Sequence, residues 1–116
     1  MMQLAYKEAI KSKVRNRHGC VVARGARVLS VKRNKTKTHP AGRNYTKMLH
    51  AEVACIVQLG EQHTLGADMY VCRVMRDDKT FGMSRPCRDC QKMIADAGIK
   101  NVFYTDAEGN FQHYEV

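Results

Sequence analysis

The sequence predicts an α/β domain of element order αββαβαββ, built on a five-stranded mixed sheet. Three observations predict it. Two strand-like runs near the N-terminus are separated only by a short glycine-containing turn. Two apolar runs of helix length, stopped by Gly60 and Gly98, are each followed by a strand-like run. The last two strand-like runs are five residues apart. At 116 residues and 44% apolar, the chain fits one globular domain over 1–116, close to the usual domain size.

In order, the first element is a helix over about 3–13, around Leu4-Ala5-Tyr6-Lys7-Glu8-Ala9-Ile10. Strands at about 19–24 and 27–33 follow, and the Arg24-Gly25-Ala26 link makes them a hairpin, since glycine supplies the backbone a tight turn needs. Residues 34–48 are polar and read as a loop. The apolar run opened by His50 and closed at Gly60 is the second helix. A strand near 68–75 leads into an irregular segment, Asp77-Asp78-Lys79-Thr80-Phe81-Gly82. Pro86 suits entry into the third helix, because proline fixes its own φ and biases Arg85 away from helix; Gly98 is its stop. Strands at about 100–105 and 110–115 close the chain. The connection Asp106–Asn110 is too short for a parallel crossover, which takes about a dozen residues. These strands are therefore expected to form an antiparallel hairpin.

Charge is unevenly placed. The formal net charge is +9, and between Lys11 and Lys47 there are twelve Lys or Arg and no Asp or Glu. The densest part, Lys32-Arg33-Asn34-Lys35-Thr36-Lys37-Thr38-His39-Pro40, directly precedes the second helix. It reads either as a solvated loop or as a rim, with Lys35 and Lys37, that contacts phosphate of a nucleotide or of single-stranded nucleic acid. Tyr45 in the same loop fits base stacking or inward packing equally. With no Trp and 7% aromatics, a long stacking platform is not evident. No apolar run approaches the roughly 20 residues of a membrane span. No small-residue cleavage site follows the first helix, so a cytoplasmic location is expected, the host cytosol if the source is a virus. Five cysteines, an odd count without a secretory signal, argue against a disulfide framework. Cys20, Cys55 and Cys72 have apolar neighbours and read as core. His39 and His63 are isolated.

The chemistry lies in His50-Ala51-Glu52 and Pro86-Cys87-Arg88-Asp89-Cys90. His50, Cys87 and Cys90 can each give one ligand to a tetrahedral zinc and leave the fourth position open. Cys87 and Cys90, spaced i, i+3 at a helix start, share a face. The helix N-terminus carries partial positive charge and favours thiolate over thiol. Glu52 is not needed as a ligand and is available to move protons. A structural zinc would normally take four protein ligands, and a lone Cys-x-x-Cys would read equally as a redox motif. Joined to an upstream His-x-Glu and a preceding proline, it carries the signature of zinc-dependent nucleobase deaminases.

On these motifs the chain resembles the cytidine/deoxycytidylate deaminase-like superfamily over nearly its whole length. The resemblance implies a three-layer α/β sandwich with about three helices and bound Zn²⁺. It also implies hydrolytic deamination of a cytosine-type base, with Glu52 as the acid–base residue. It places Asn34 on the substrate's sugar, and Ala51 and Ser84 join the substrate-binding set beside the metal motifs. An antiparallel last strand resembles the free-cytidine and blasticidin deaminases, whereas free-cytidine deaminases typically carry cysteine where this chain has His50. Cytidine, deoxycytidine or dCMP is the expected substrate. Cytosine in single-stranded DNA or RNA comes second, and adenine in a polynucleotide third. A different class, a non-catalytic zinc-stabilised module that binds nucleic acid through the basic region, is set against the enzyme by the carboxylate of Glu52. Relatives are commonly oligomers, so a homo-oligomer is a further expectation.

Overall fold

The computed structural model describes residues 1–38 and 46–116, and of their side chains all but those of 37, 38, 46–48 and 61. The chain runs α1 (Met2–Ile10), β1 (Arg17–Arg24), β2 (Arg27–Arg33), β3 (Lys35–Thr38), β4 (Thr46–Leu49), α2 (Ala51–Leu59) and α3 (Glu61–Thr64). It continues with β5 (Asp68–Val74), β6 (Phe81–Gly82), α4 (Arg88–Asp96), β7 (Asn101–Thr105) and β8 (Phe111–Glu115).

The main sheet has the order β2-β1-β5-β7-β8, with β6 added alongside β5. β1 is antiparallel to both β2 and β5, and β5 is parallel to β7. β7 and β8 pair antiparallel from Asn101↔Glu115 to Thr105↔Phe111, as the short connection predicts. Successive side chains of a strand point to opposite faces, and the two cores follow that alternation. Cys20, Val22, Met69, Val71 and Val102 face Ala51 and Cys55 of α2 and Ile94 of α4. Val21, Ala23, Cys72 and Val74 face Met2, Ala5 and Ala9 of α1. The result is the expected three-layer sandwich, with α1 on one side and α2 and α4 on the other. Cys20, Cys55 and Cys72 are all fully buried.

Gly19 is where α1 comes closest to the sheet. A Cβ there would lie 2.0 Å from the Ala5 carbonyl oxygen and 2.6 Å from the Ala9 nitrogen. Both are backbone atoms, so only glycine admits this packing. The β1–β2 turn uses Gly25 at φ 59°. In the β7–β8 turn the Asp106 carboxylate accepts the Glu108 and Asn110 N–H groups at 2.9 and 2.8 Å, and Gln112 Nε2 at 2.8 Å.

Three expectations are corrected. α1 stops at Ile10 rather than 13; the buried Ser12 hydroxyl instead reaches Asn34 Oδ1 at 2.8 Å. The segment 34–48 is not simply loop. β3 and β4 form a separate antiparallel ribbon that pairs Lys35 with Leu49 and Thr38 with Thr46. It stands apart from the main sheet, so it lacks the apolar alternation by which strands are recognised. β6 and α3, of two and four residues, are too short to show any period.

Candidate metal and active site

His50 and Cys87 hold matching positions. Each is the N-cap residue of its helix, His50 at φ −69°, ψ 146° before α2 and Cys87 at φ −66°, ψ 169° before α4. Their extended backbones end the preceding segments, while their carbonyls already accept helical bonds from Ala54 at 3.0 Å and Gln91 at 2.8 Å. Gln91 Nε2 donates to the Pro86 carbonyl at 2.8 Å, which ties the entry of α4 to its own first turn. Cys90, one turn in, is 3% exposed.

His50 Nδ1 lies 3.2 Å from Cys90 Sγ and 3.9 Å from Cys87 Sγ. The three ligand atoms all fall within 4.8 Å of one another. A tetrahedral zinc with ordinary bond lengths separates nitrogen from sulfur by about 3.5 Å, between the two observed distances. The donor set and its spacing therefore fit zinc, and Nδ1 is the imidazole nitrogen turned to the sulfurs. Two helix N-termini converge here, each with free N–H groups and partial positive charge. Burial, with the charge of Glu52 and the neighbouring Cys87, pushes the Cys90 thiol well up. A divalent cation reverses that preference and holds the thiolate.

Beside this cluster is a cavity of about 240 Å³. Glu52, in the first turn of α2 and 5% exposed, lines it next to His50 and Cys87. Ala51 also lines it, with its methyl in the core behind. Asn16, His18 and Asn34 form the polar wall. Asn34 is 5% exposed; its Oδ1 accepts from Ser12 Oγ and from His18 N at 2.9 Å, and its Nδ2 donates to the Asn16 carbonyl. Its amide thus braces the wall from within.

Ser84 lines the cavity, but its hydroxyl is turned into the sheet. It donates to Val71 O at 2.9 Å and accepts the Thr105 N–H at 2.7 Å, while Thr105 Oγ1 donates to Gly82 O at 2.7 Å. This buried network fixes the segment that enters Pro86-Cys87. Lys35 is exposed on β3 and is not among the residues lining the cavity. Lys37 belongs to β3, but its side chain lies outside the described residues, as do His39 and Tyr45. His63 is exposed on α3.

Three lining residues had no sequence assignment: Asn16, His18 and Arg85. His18 comes from the start of β1; burial lowers its pKa, against the opposing pull of the Asn16 carbonyl and the Glu52 charge. Arg85 sits over the rings of Tyr104 and Tyr114, at 5.8 and 5.1 Å. Its place directly before Pro86-Cys87 was a usable signal; that of His18 emerges only when β1 pairs with β5.

A His–Cys–Cys group that leaves one zinc position open, with a carboxylate free beside it, is the arrangement of a zinc-dependent deaminase. Residues 1–106 match the cytidine and deoxycytidylate deaminase zinc-binding region, and the chain belongs to that family. Among solved structures it is similar to the dCMP deaminase of cyanophage S-TIM5 in apo form. The identity is 25% and the TM-score 0.64, over 90% of this chain and 79% of that one. The same phage enzyme in complex with dCMP and dUMP matches at 24% identity and TM-score 0.61, over 90% and 77%. RibD of Acinetobacter baumannii matches at 25% identity and TM-score 0.57, over 90% of this chain but 27% of that one. No curated protein matches the chain.

Proposed function

We propose that the protein hydrolyses the exocyclic C4–N bond of a cytosine-type base in a nucleoside or nucleotide, releasing ammonia and leaving a uracil-type base. The observation that carries this is Glu52, a buried carboxylate in the same cavity as His50 and Cys87 and not needed as a ligand. A site that only stapled the fold would have no use for it. The S-TIM5 enzyme, similar at 25% identity, is a dCMP deaminase, which supports cytidine, deoxycytidine or dCMP as the substrate.

His50, Cys87 and Cys90 would hold the zinc, which when bound makes a water molecule easier to deprotonate. Glu52 takes a proton from the attacking water as its oxygen bonds to C4. The carboxyl gives that proton to the ring nitrogen, then takes the remaining proton from the new C4 hydroxyl and passes it to the amino group, which leaves as ammonia as the C4–N bond breaks and C4=O forms. Asn34, held by Ser12, His18 and Asn16, keeps the polar wall in place for the sugar, and Ser84 anchors the segment carrying Cys87. The test is ammonia release by the zinc-loaded protein from cytidine, deoxycytidine, their monophosphates, adenosine and a cytosine-containing oligonucleotide. Turnover of a cytosine substrate is expected; release from adenosine alone would overturn the base assignment.

A further inference from the structure

Next to the catalytic cavity is a second groove, of about 580 Å³, lined by Arg15, Arg73 and Arg76. Asn16 is a wall of both. Arg15 and Arg76 are exposed. Arg73 donates through Nη2 to Asn16 Oδ1 at 3.2 Å, and its Nε is buried without a partner. Among the described residues, no carboxylate forms an ion pair with any of the three arginines. The acid on the rim, Asp77, is already engaged. Its carboxylate accepts the Lys79 and Thr80 N–H groups at 2.9 and 2.8 Å, and the Thr80 hydroxyl as well. Three guanidinium groups thus share one concavity with a single carboxylate, that of Asp77, which leaves the groove with an excess of positive charge. Guanidinium forks match phosphate oxygens in geometry and charge.

We propose that this groove is an anion subsite that takes a phosphate attached to the substrate's sugar while the base occupies the metal cavity. The inference rests on the deaminase reading above. The phosphate has two sources of the same chemistry: the monoester of a free nucleotide, or the diester that continues a single strand. The groove exceeds the catalytic cavity in volume and shares Asn16 with it, so it has room for either.

The test uses the zinc-loaded full chain, the Arg15→Ala/Arg76→Ala double variant, and Arg15→Gln/Arg76→Gln as a milder form. Arg27→Ala/Lys92→Ala, which removes the same two positive charges from residues outside the groove, controls for the change in net charge. Substrates are deoxycytidine, dCMP and a short oligonucleotide with one cytosine, followed by ammonia release. Direct binding of dCMP and of the labelled oligonucleotide is measured in parallel, so the subsite is still read if no substrate turns over, the outcome that would sink the deaminase reading instead. Charge-assisted hydrogen bonds contribute enough that KM and Kd for a phosphate-bearing ligand should rise roughly tenfold or more. Deoxycytidine should be unchanged. A response from dCMP identifies the monoester. A response from the oligonucleotide alone identifies the diester, with a salt slope flatter by about one unit for each phosphate no longer held. Unchanged affinity for both phosphate-bearing ligands, or an equal weakening for deoxycytidine, overturns the proposal.

Discussion

Glu52 is the only carboxylate among the described residues that line the cavity, so its removal is the sharpest test at the scale of one residue. Glu52→Gln keeps the size and removes the base. Zinc content and melting temperature should stay near wild type, while kcat falls by roughly 10²–10⁴. Near-normal ammonia release would show the acid–base assignment to be wrong. Cys90→Ser should instead strip the metal, because a buried hydroxyl does not replace the thiolate facing His50 Nδ1; elemental analysis should find far less than one zinc per chain. The residues proposed for these roles are legible in the sequence because the motif spacing is local to two helix starts. The wall was not. His18, Asn16 and Asn34 meet through strand pairing, and Ser84 and Asn34 direct their polar groups inward in a way no spacing reveals.

Elements set how closely these residues are held. Gly19→Ala would drive a methyl into the α1 backbone, so α1 must shift off the sheet. Overpacking of this kind costs roughly 1–3 kcal/mol, and urea unfolding should show a lower midpoint. In the β5–β6 turn, the Thr80 hydroxyl, with the Thr80 and Lys79 N–H groups, holds Asp77 from its ordinary 3.8 down to about 2. A depressed pKa contributes stability that is present above about 3.8 and lost as pH falls through 2. An NMR titration should place Asp77 below the other exposed aspartates, and Lys79 and Thr80 amide exchange should quicken over that interval; a midpoint near 3.8 would refute the turn's geometry. Most of this element order was readable, because Val21 to Ala23 and Met69 to Val74 alternate between two cores. β3 and β4 escaped because Lys-Thr-Lys-Thr shows no apolar alternation.

Over the whole molecule, bound zinc is coupled to folding. A ligand that binds only the folded chain adds about 2.7 kcal/mol at a free concentration of 100 Kd. Chelation should therefore lower the melting temperature, and added zinc should restore it. A melting curve indifferent to chelator would remove zinc from the fold's energetics.

The parallel pairing of β5 with β7 carries a consequence for the order of assembly. His50 precedes β5 in the chain, and Cys87 and Cys90 follow it. Bringing them together closes a stretch of chain that contains β5, which itself pairs between β1 and β7. Non-local strand pairing is slow to form, so the complete triad belongs to the end of folding. Zinc is in that sense a latch and not a template: it should slow the opening of the finished domain far more than it speeds its closing.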